Sequence, residues 1–406
     1  MTTTQGTAVP VARAAAAPAW TRRAWVPVVG IFAASRVLST VLFLLAVHFA
    51  RPTSRIGTHA TLVSAMAAWD GQWYKLVAFS GYPIHLPPPI GGVNQTSAWA
   101  FLPAYPYLVK ILAFGNDRLW DPVAELTSTA FGFGAALLLA ALLRPHVGRR
   151  GALVGVLVFS FAPLSFMLQA AYAESMGLFL LLAVLLLVDR RRYLSAVAPT
   201  LLLAFTRPGV QAVALTVALV VGVQLLRARR GGPRPPRREL TGAAVLAAVA
   251  AVSGFAWSWV AAAVTGVPDA YLRTELAWRE TWTGDAHFTP GTSWLWAADF
   301  WFGRFGPIVL AVLLAGFTAL LLTPWIRRLG DVNRLWLLSW ALYLLGVFFP
   351  QSSTFRLLMP MAPAAGAFAT IRSRTVLGVV LVVSVLLQGL WLYRTFGSWQ
   401  HFWAIP

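Results

Sequence analysis

Only 13 of the chain's 406 residues are Asp or Glu, so each carboxylate is a candidate for chemistry. Asp70 stands in AAWDGQWYKLVAFSGYP, residues 67 to 83, preceded by Trp69 and followed by Trp73 and Tyr74. That spacing puts Asp70 and Tyr74 on one helical face, among aromatics of the kind that mark a membrane boundary. A carboxylate fixed there can serve as a general base, and the ordinary alternative is a helix cap or a solvated loop charge. Glu174, in QAAYAESMGLF, lies so close to apolar segments that it needs either a functional role or an arginine partner. Arg207 in AFTRPGV and Arg356 in PQSSTFRLLMP end apolar segments, where either could instead extend its guanidinium to water. Arg36, in the middle of IFAASRVLSTV, is an intramembrane arginine and a site candidate on that ground.

A membrane bundle has to position these groups. Hydrophobic residues make up 58% of the chain and the mean hydropathy is +0.70, with apolar runs near the length a bilayer requires. Crossings are expected at 25–47, 123–143, 152–168, 171–188, 194–206, 210–226, 240–264, 306–325, 334–349, 357–371 and 375–394. About 11 transmembrane helices in an all-α polytopic membrane protein result. Residues 1–24 read as a disordered cytoplasmic tail, 25–394 as the multi-pass domain and 395–406 as an external tail. Loops 48–122 and 265–305, rich in aromatics, Pro and Gly, are expected to fold against the outer face. Interfacial helices are expected in the first of them, where SAWAFLPAYPYLVKILAF suits a helix lying on the membrane better than a span.

The formal charge of +19 follows from topology rather than from nucleic-acid binding. With residue 24 cytoplasmic, 20 of the 32 basic residues fall on inside segments, as the positive-inside rule asks. Ten of the 13 acidic residues fall outside. Asp70, Glu174, Arg207 and Arg356 then share the outer face, which independent snorkelling does not require. One carboxylate base with several guanidinium groups suits a phosphate-bearing lipid, because arginine binds phosphate oxygens as a fork. The chain has no cysteine, so disulfide and thiolate chemistry are excluded. Its six histidines lack metal-ligand spacing, and no phosphate-binding loop, nucleophile elbow or dinucleotide fingerprint occurs, so no metal or cofactor is expected.

The chain resembles the integral-membrane GT-C glycosyltransferases, and within them the PIG-V type related to the second mannosyltransferase of glycosylphosphatidylinositol assembly. ASR at 34–36, WDGQWYKLVAFSGYP at 69–83, AFLPAYPYLVKIL at 100–112, AAYAESMGLFLLL at 170–182 and FTRPGV at 205–210 carry the resemblance, in the family's order. STFRLLMPMAP at 353–363 is similar but less specific. The resemblance implies a GT-C fold and inverting transfer of a sugar from a polyprenyl-phosphate donor on the extracytoplasmic face. Mannose is the sugar implied, with arabinose, glucose and galactose open. Asp70 takes the place of the catalytic base, Glu174 orients a substrate hydroxyl or an arginine, and Arg207, Arg356 and Arg36 neutralise the phosphate. Trp69, Trp73, Tyr74, Trp99 and Tyr105 offer faces to the sugar and prenyl chain, or form an interfacial belt. Arginine outnumbers lysine thirty to two in an Ala- and Leu-rich chain, which resembles a high-GC bacterial member. The acceptor implied is therefore a cell-envelope glycolipid, a polysaccharide or a secreted protein rather than a glycosylphosphatidylinositol anchor. A transporter or flippase for a lipid-linked sugar is the rival, though such proteins tend to place their sites near the bilayer midplane. A structural subunit is the third reading.

The topology is testable in a chain without cysteine. In intact cells an impermeant thiol reagent should label Asp285→Cys and should reach Gly232→Cys only after permeabilisation; the reverse pattern overturns the outer-face site.

Overall fold

Helix starts and stops follow local chemistry along the computed structural model, which describes residues 25–283, 288–350 and 353–398. The N-terminal tail expected at 1–24 and most of the C-terminal tail lie outside the described residues. α1 (Val26–His48) opens with Pro27 in its first turn, where a missing N–H breaks no helical bond. The first long loop holds α2 (Leu62–Met66), closed by a reciprocal Thr61–Ser64 capping box, then α3 (Asp70–Ser80) and α4 (Ala104–Leu112). α5 (Asp117–Ser160) starts on an Asn116 cap and kinks at Gly148, whose φ is 72°. α6 (Glu174–Asp189), α7 (Val197–Ala204), α8 (Gln211–Arg229), α9 (Arg237–Ser253) and α10 (Ala256–Thr265) follow. The second long loop carries α11 (Ala270–Thr283) and α12 (Thr292–Phe302). α13 (Gly306–Leu322), α14 (Pro324–Arg327), α15 (Asp331–Val347), α16 (Thr354–Leu357) and α17 (Arg374–Leu392) complete the order.

The described residues form no β-strand beyond an isolated Ile90–Val93 bridge, and six helical stretches are long and apolar enough to cross a bilayer. These are Val26–His48, Asp117–Ser160, Gln211–Arg229, Arg237–Thr265, Thr292–Leu322 and Arg374–Gly397. In the last, only 11% of the most apolar window is buried, and Val382, Leu386 and Leu390 are all more than half exposed. Apolar exposure on that scale suits lipid, not water, and the chain is an all-α membrane protein. Elsewhere the expected crossings shorten. The segment 152–168 leaves the helix at Ser160 ahead of Pro163, and 194–206 becomes one 3₁₀ turn plus the eight residues of α7. The segment 357–371 becomes a 3₁₀ run, Met359–Thr370, with Pro360 and Pro363 removing helical donors.

α6 is the axis of the bundle, apolar and buried on nearly every side. No charge falls between Glu174 and Asp189, so polar groups gather at its two ends, roughly 22 Å apart at 1.5 Å per residue. At the Asp189 end His146 Nε2 meets Asp189 at 3.2 Å, Arg191 pairs with Glu239 at 2.8 Å and Arg227 with Asp331 at 2.5 Å. The other end holds Glu174 and its partners.

Arg36 belongs to the frame. Its guanidinium donates to the carbonyls of Ser160 (3.1 Å) and Ser165 (2.5 Å) and lies over the Phe32 ring. Ser160 is the last residue of α5, whose terminal carbonyls have no helical donor and carry the negative end of the dipole. A cation there closes the helix and ties α1 to it, which satisfies an intramembrane arginine without a substrate. Arg36→Lys reaches only one of the two carbonyls and should destabilise the detergent-solubilised protein by about 1–3 kcal/mol in a denaturant titration. Unchanged stability would return Arg36 to the substrate contacts.

Candidate active site

The four other charged candidates meet. Arg356 Nη1 donates to Asp70 Oδ2 at 2.5 Å, and its Nε lies 3.1 Å from Glu174 Oε1. Arg207 Nη2 approaches the same Glu174 oxygen at 3.3 Å, while its Nη1 donates to the Tyr74 hydroxyl at 3.4 Å. The side chains are 4% (Glu174), 12% (Arg356), 15% (Asp70) and 19% (Arg207) exposed, so these pairs are not surface bridges that water screens to near nothing. Neither arginine snorkels outward. Burial lowers the affinity of both guanidinium groups for their protons. The carboxylates more than offset it, Asp70 and Glu174 at Arg356 and Glu174 at Arg207, and both are held above their usual values. Burial likewise keeps the Tyr74 phenol protonated.

Local sequence explains the placement. Asp70 and Glu174 are the first residues of α3 and α6, where unpaired backbone N–H groups favour a negative side chain. Asp70 is therefore not a cap in the hydrogen-bonding sense. The cap position belongs to Trp69, whose φ of 60° is a left-handed conformation rare for an aromatic residue and costs on the order of 1–3 kcal/mol. Three contacts hold it: Trp69 Nε1 donates to the Thr395 carbonyl at 2.9 Å, Arg55 lies over the indole, and the Tyr172 hydroxyl donates to Ala68 O at 2.8 Å. On α6, Gly177 leaves room for the Arg207 stem, since a Cβ there would stand 2.8 Å from Arg207 Cγ. Gly209 has a φ of 107°, and its missing side chain admits the Trp340 ring.

The remaining candidates separate by role. Trp73 stacks on Phe101 at 5.4 Å beside the cluster. Tyr105 packs edge-on against Tyr74, but its hydroxyl is bound to Ala124 O and Ser128 Oγ, so it supports the site from below. Trp99 sits in a separate cluster with Tyr82 and Trp257. Among the residues that sequence reasoning misses are Trp336, Trp340 and Tyr343, an i, i+4, i+7 stack along α15. Their spacing was a visible signal, hidden by the run's reading as a plain span. Trp336 and Trp340 donate to the carbonyls of Pro360 and Leu357, both at 2.7 Å, fixing the backbone that follows Arg356.

A narrow recess opens between these parts, with Glu174, Arg207 and Arg356 at its polar rim and Leu178, Leu181 and Trp340 among its apolar walls. A roomier recess of 290 Å³, lined by His85, Pro88, Gln95 and Arg273 among others, touches none of the four clustered charges. The chemistry therefore points to the narrower one. Glu174 Oε2 is buried with no hydrogen-bond donor, an unmet acceptor beside that recess. The arrangement can hold an anion on two guanidinium groups, take a hydroxyl on Glu174 and receive a proton on Asp70. Comparison with protein-family models and with curated proteins finds no match.

If the cluster is one electrostatic unit, Glu174→Gln and Arg356→Gln will not add. A double-mutant cycle on stability should give a coupling between about 0.5 and 3 kcal/mol, and additivity within about 0.3 kcal/mol would contradict it.

Proposed function

We propose that the chain is an integral-membrane glycosyltransferase of the GT-C class, with eleven crossings if its shorter apolar helices also span. It moves a sugar, mannose in the first instance, from a polyprenyl-phosphate donor to a cell-envelope acceptor on the extracytoplasmic face. One observation carries the reading: Glu174, Arg207 and Arg356 converge at the rim of an apolar recess, and Arg356 joins them to the helix-terminal carboxylate of Asp70. In this reading the prenyl chain lies in the recess and the donor phosphate engages Arg207 and Arg356. Glu174 Oε2 accepts a substrate hydroxyl. Asp70 takes the proton of the acceptor hydroxyl as that oxygen bonds to the anomeric carbon. The bond from that carbon to the phosphate oxygen breaks on the opposite face, its electron pair leaves with the phosphate, and the configuration inverts. Cations fixed in advance at the leaving oxygen can supply several kcal/mol, on the order that a lost oxyanion donor costs.

Membranes containing the protein should use radiolabelled polyprenyl-phosphate mannose and should ignore GDP-mannose when carrier-lipid synthesis is blocked. Direct use of the nucleotide sugar would end the lipid-donor reading. Asp70→Asn keeps size but loses basicity, so turnover should fall about 100- to 10,000-fold at normal membrane abundance. Arg207→Lys keeps charge but loses the fork, and should weaken donor use less than Arg207→Ala does. Wild-type turnover in Asp70→Asn would remove Asp70 as the base.

A further inference from the structure

A third carboxylate faces the same space from the second long loop. Tyr271, Glu275 and Trp278 recur along α11 at the i, i+4, i+7 spacing of one helical face. Trp278 fixes where that face points, because its ring meets Trp73 at 5.7 Å and Phe101 at 6.2 Å. Further along α11, Glu280 accepts hydrogen bonds from the amide N (3.1 Å) and Nδ2 (2.8 Å) of Asn94, so the helix cannot turn its face away freely. Glu275 is solvent-exposed, so a ligand can reach its carboxylate. The charges of Arg207, Asp70 and Arg356 reach it, as do the phenols of Tyr271 on its own helix and Tyr343 on α15. It takes no part in the ion pairs that bind Asp70 and Glu174 to the arginines.

The charge arithmetic restricts what can lie between Glu275 and the arginines. A phosphate seated on Arg207 and Arg356 would repel a nearby carboxylate. A neutral, hydroxyl-rich group between them relieves that repulsion, since it separates the two anions and gives O–H donors to the carboxylate. A sugar attached to the phosphate is such a group. A tryptophan ring beside a carboxylate and a phenol offers it one apolar face and two polar partners, the mix that orients small ligands. We propose that Glu275 binds a hydroxyl of the transferred sugar and so sets which glycosylated polyprenyl phosphate the site accepts, an assignment that rests on the donor reading above. Desolvation raises the Glu275 carboxyl to about 7, with the Tyr271 hydrogen bond and the Arg207 charge acting against it. The hydroxyl-accepting, ionised form therefore predominates above neutrality and is lost below it.

The test compares equilibrium binding of polyprenyl-phosphate mannose and of sugar-free polyprenyl phosphate to nanodisc-embedded protein, at about pH 8 and about pH 6. At the higher pH, Glu275→Gln should weaken the mannose-bearing ligand about tenfold while shifting the sugar-free one by less than about twofold. Wild type should lose its preference for the mannose-bearing ligand on going to the lower pH, and the variant should have little preference to lose. Comparing the two proteins at each pH cancels titration of the phosphate itself. If Glu275→Gln fails to fold, Glu275→Asp, which keeps the charge one methylene short, carries the same comparison. An equal loss for both ligands in a folded variant, or no change for either, overturns the assignment. Wild type that binds neither ligand instead overturns the donor reading beneath it.

Discussion

Arg356 holds two carboxylates at once, and much of the polar end of the bundle is arranged so that it can. A charge removed from water needs a partner, and the partners here come from four distant parts of the sequence: the start of α3, the start of α6, the turn before α8, and α16. None can be satisfied within its own segment. Removing one group leaves another buried and unpaired, which is why the helices must arrive together. The small residues serve the same end, Gly177 making room for the Arg207 stem and Gly209 letting Trp340 close on the turn. The two tryptophans of α15 then pin the carbonyls just after Arg356.

Trp69 shows the other side of this constraint. A left-handed backbone at an aromatic residue is unfavourable by itself, and the Trp69 side chain makes no capping hydrogen bond to the helix it starts. Its anchors lie in the α17 end, the first loop and the segment before α6. The strain is therefore held by tertiary contacts, and its result is that α3 begins at Asp70, with the carboxylate at the helix's positive end and facing Arg356. A relaxed Trp69 would start the helix elsewhere and turn the carboxylate away.

The parts legible in the sequence were those where charge and surroundings disagree. Asp70, Glu174, Arg207 and Arg356 stand in apolar or aromatic stretches, and that mismatch is readable without coordinates. Arg36 shows the same mismatch, yet a helix ending beside it answers the charge with carbonyls, and sequence does not reveal where α5 stops. Glu275 went unseen for the opposite reason. In YLRTELAWRE it has Arg273, Arg279 and Glu280 for neighbours and reads as part of a solvated amphipathic helix. Only the packing of Trp278 on Trp73 shows which side of the helix meets α3. Hydropathy found the apolar segments but overstated helix length wherever proline intervened, at Pro163, Pro360 and Pro363, because transfer energies do not register a missing backbone donor.

The contrast between Arg36 and Arg356 separates an arginine that builds from one that can exchange. Carbonyls of a packed backbone cannot leave Arg36, so an arriving anion has nothing to displace there without opening the helix end. Arg356 is held by side-chain carboxylates, and a phosphate diester offers it two oxygens for a forked pair that neither carboxylate makes alone. Under the proposed function, exchange has a consequence for the base. While Arg356 sits on Asp70, the Oδ2 that would take a proton is occupied by a guanidinium N–H donor. A phosphate drawing the guanidinium toward itself frees that oxygen for the acceptor hydroxyl, at the moment a sugar is in place to be attacked. The same ion pair would then link proton abstraction to donor binding, through one guanidinium shared between the base and the leaving group.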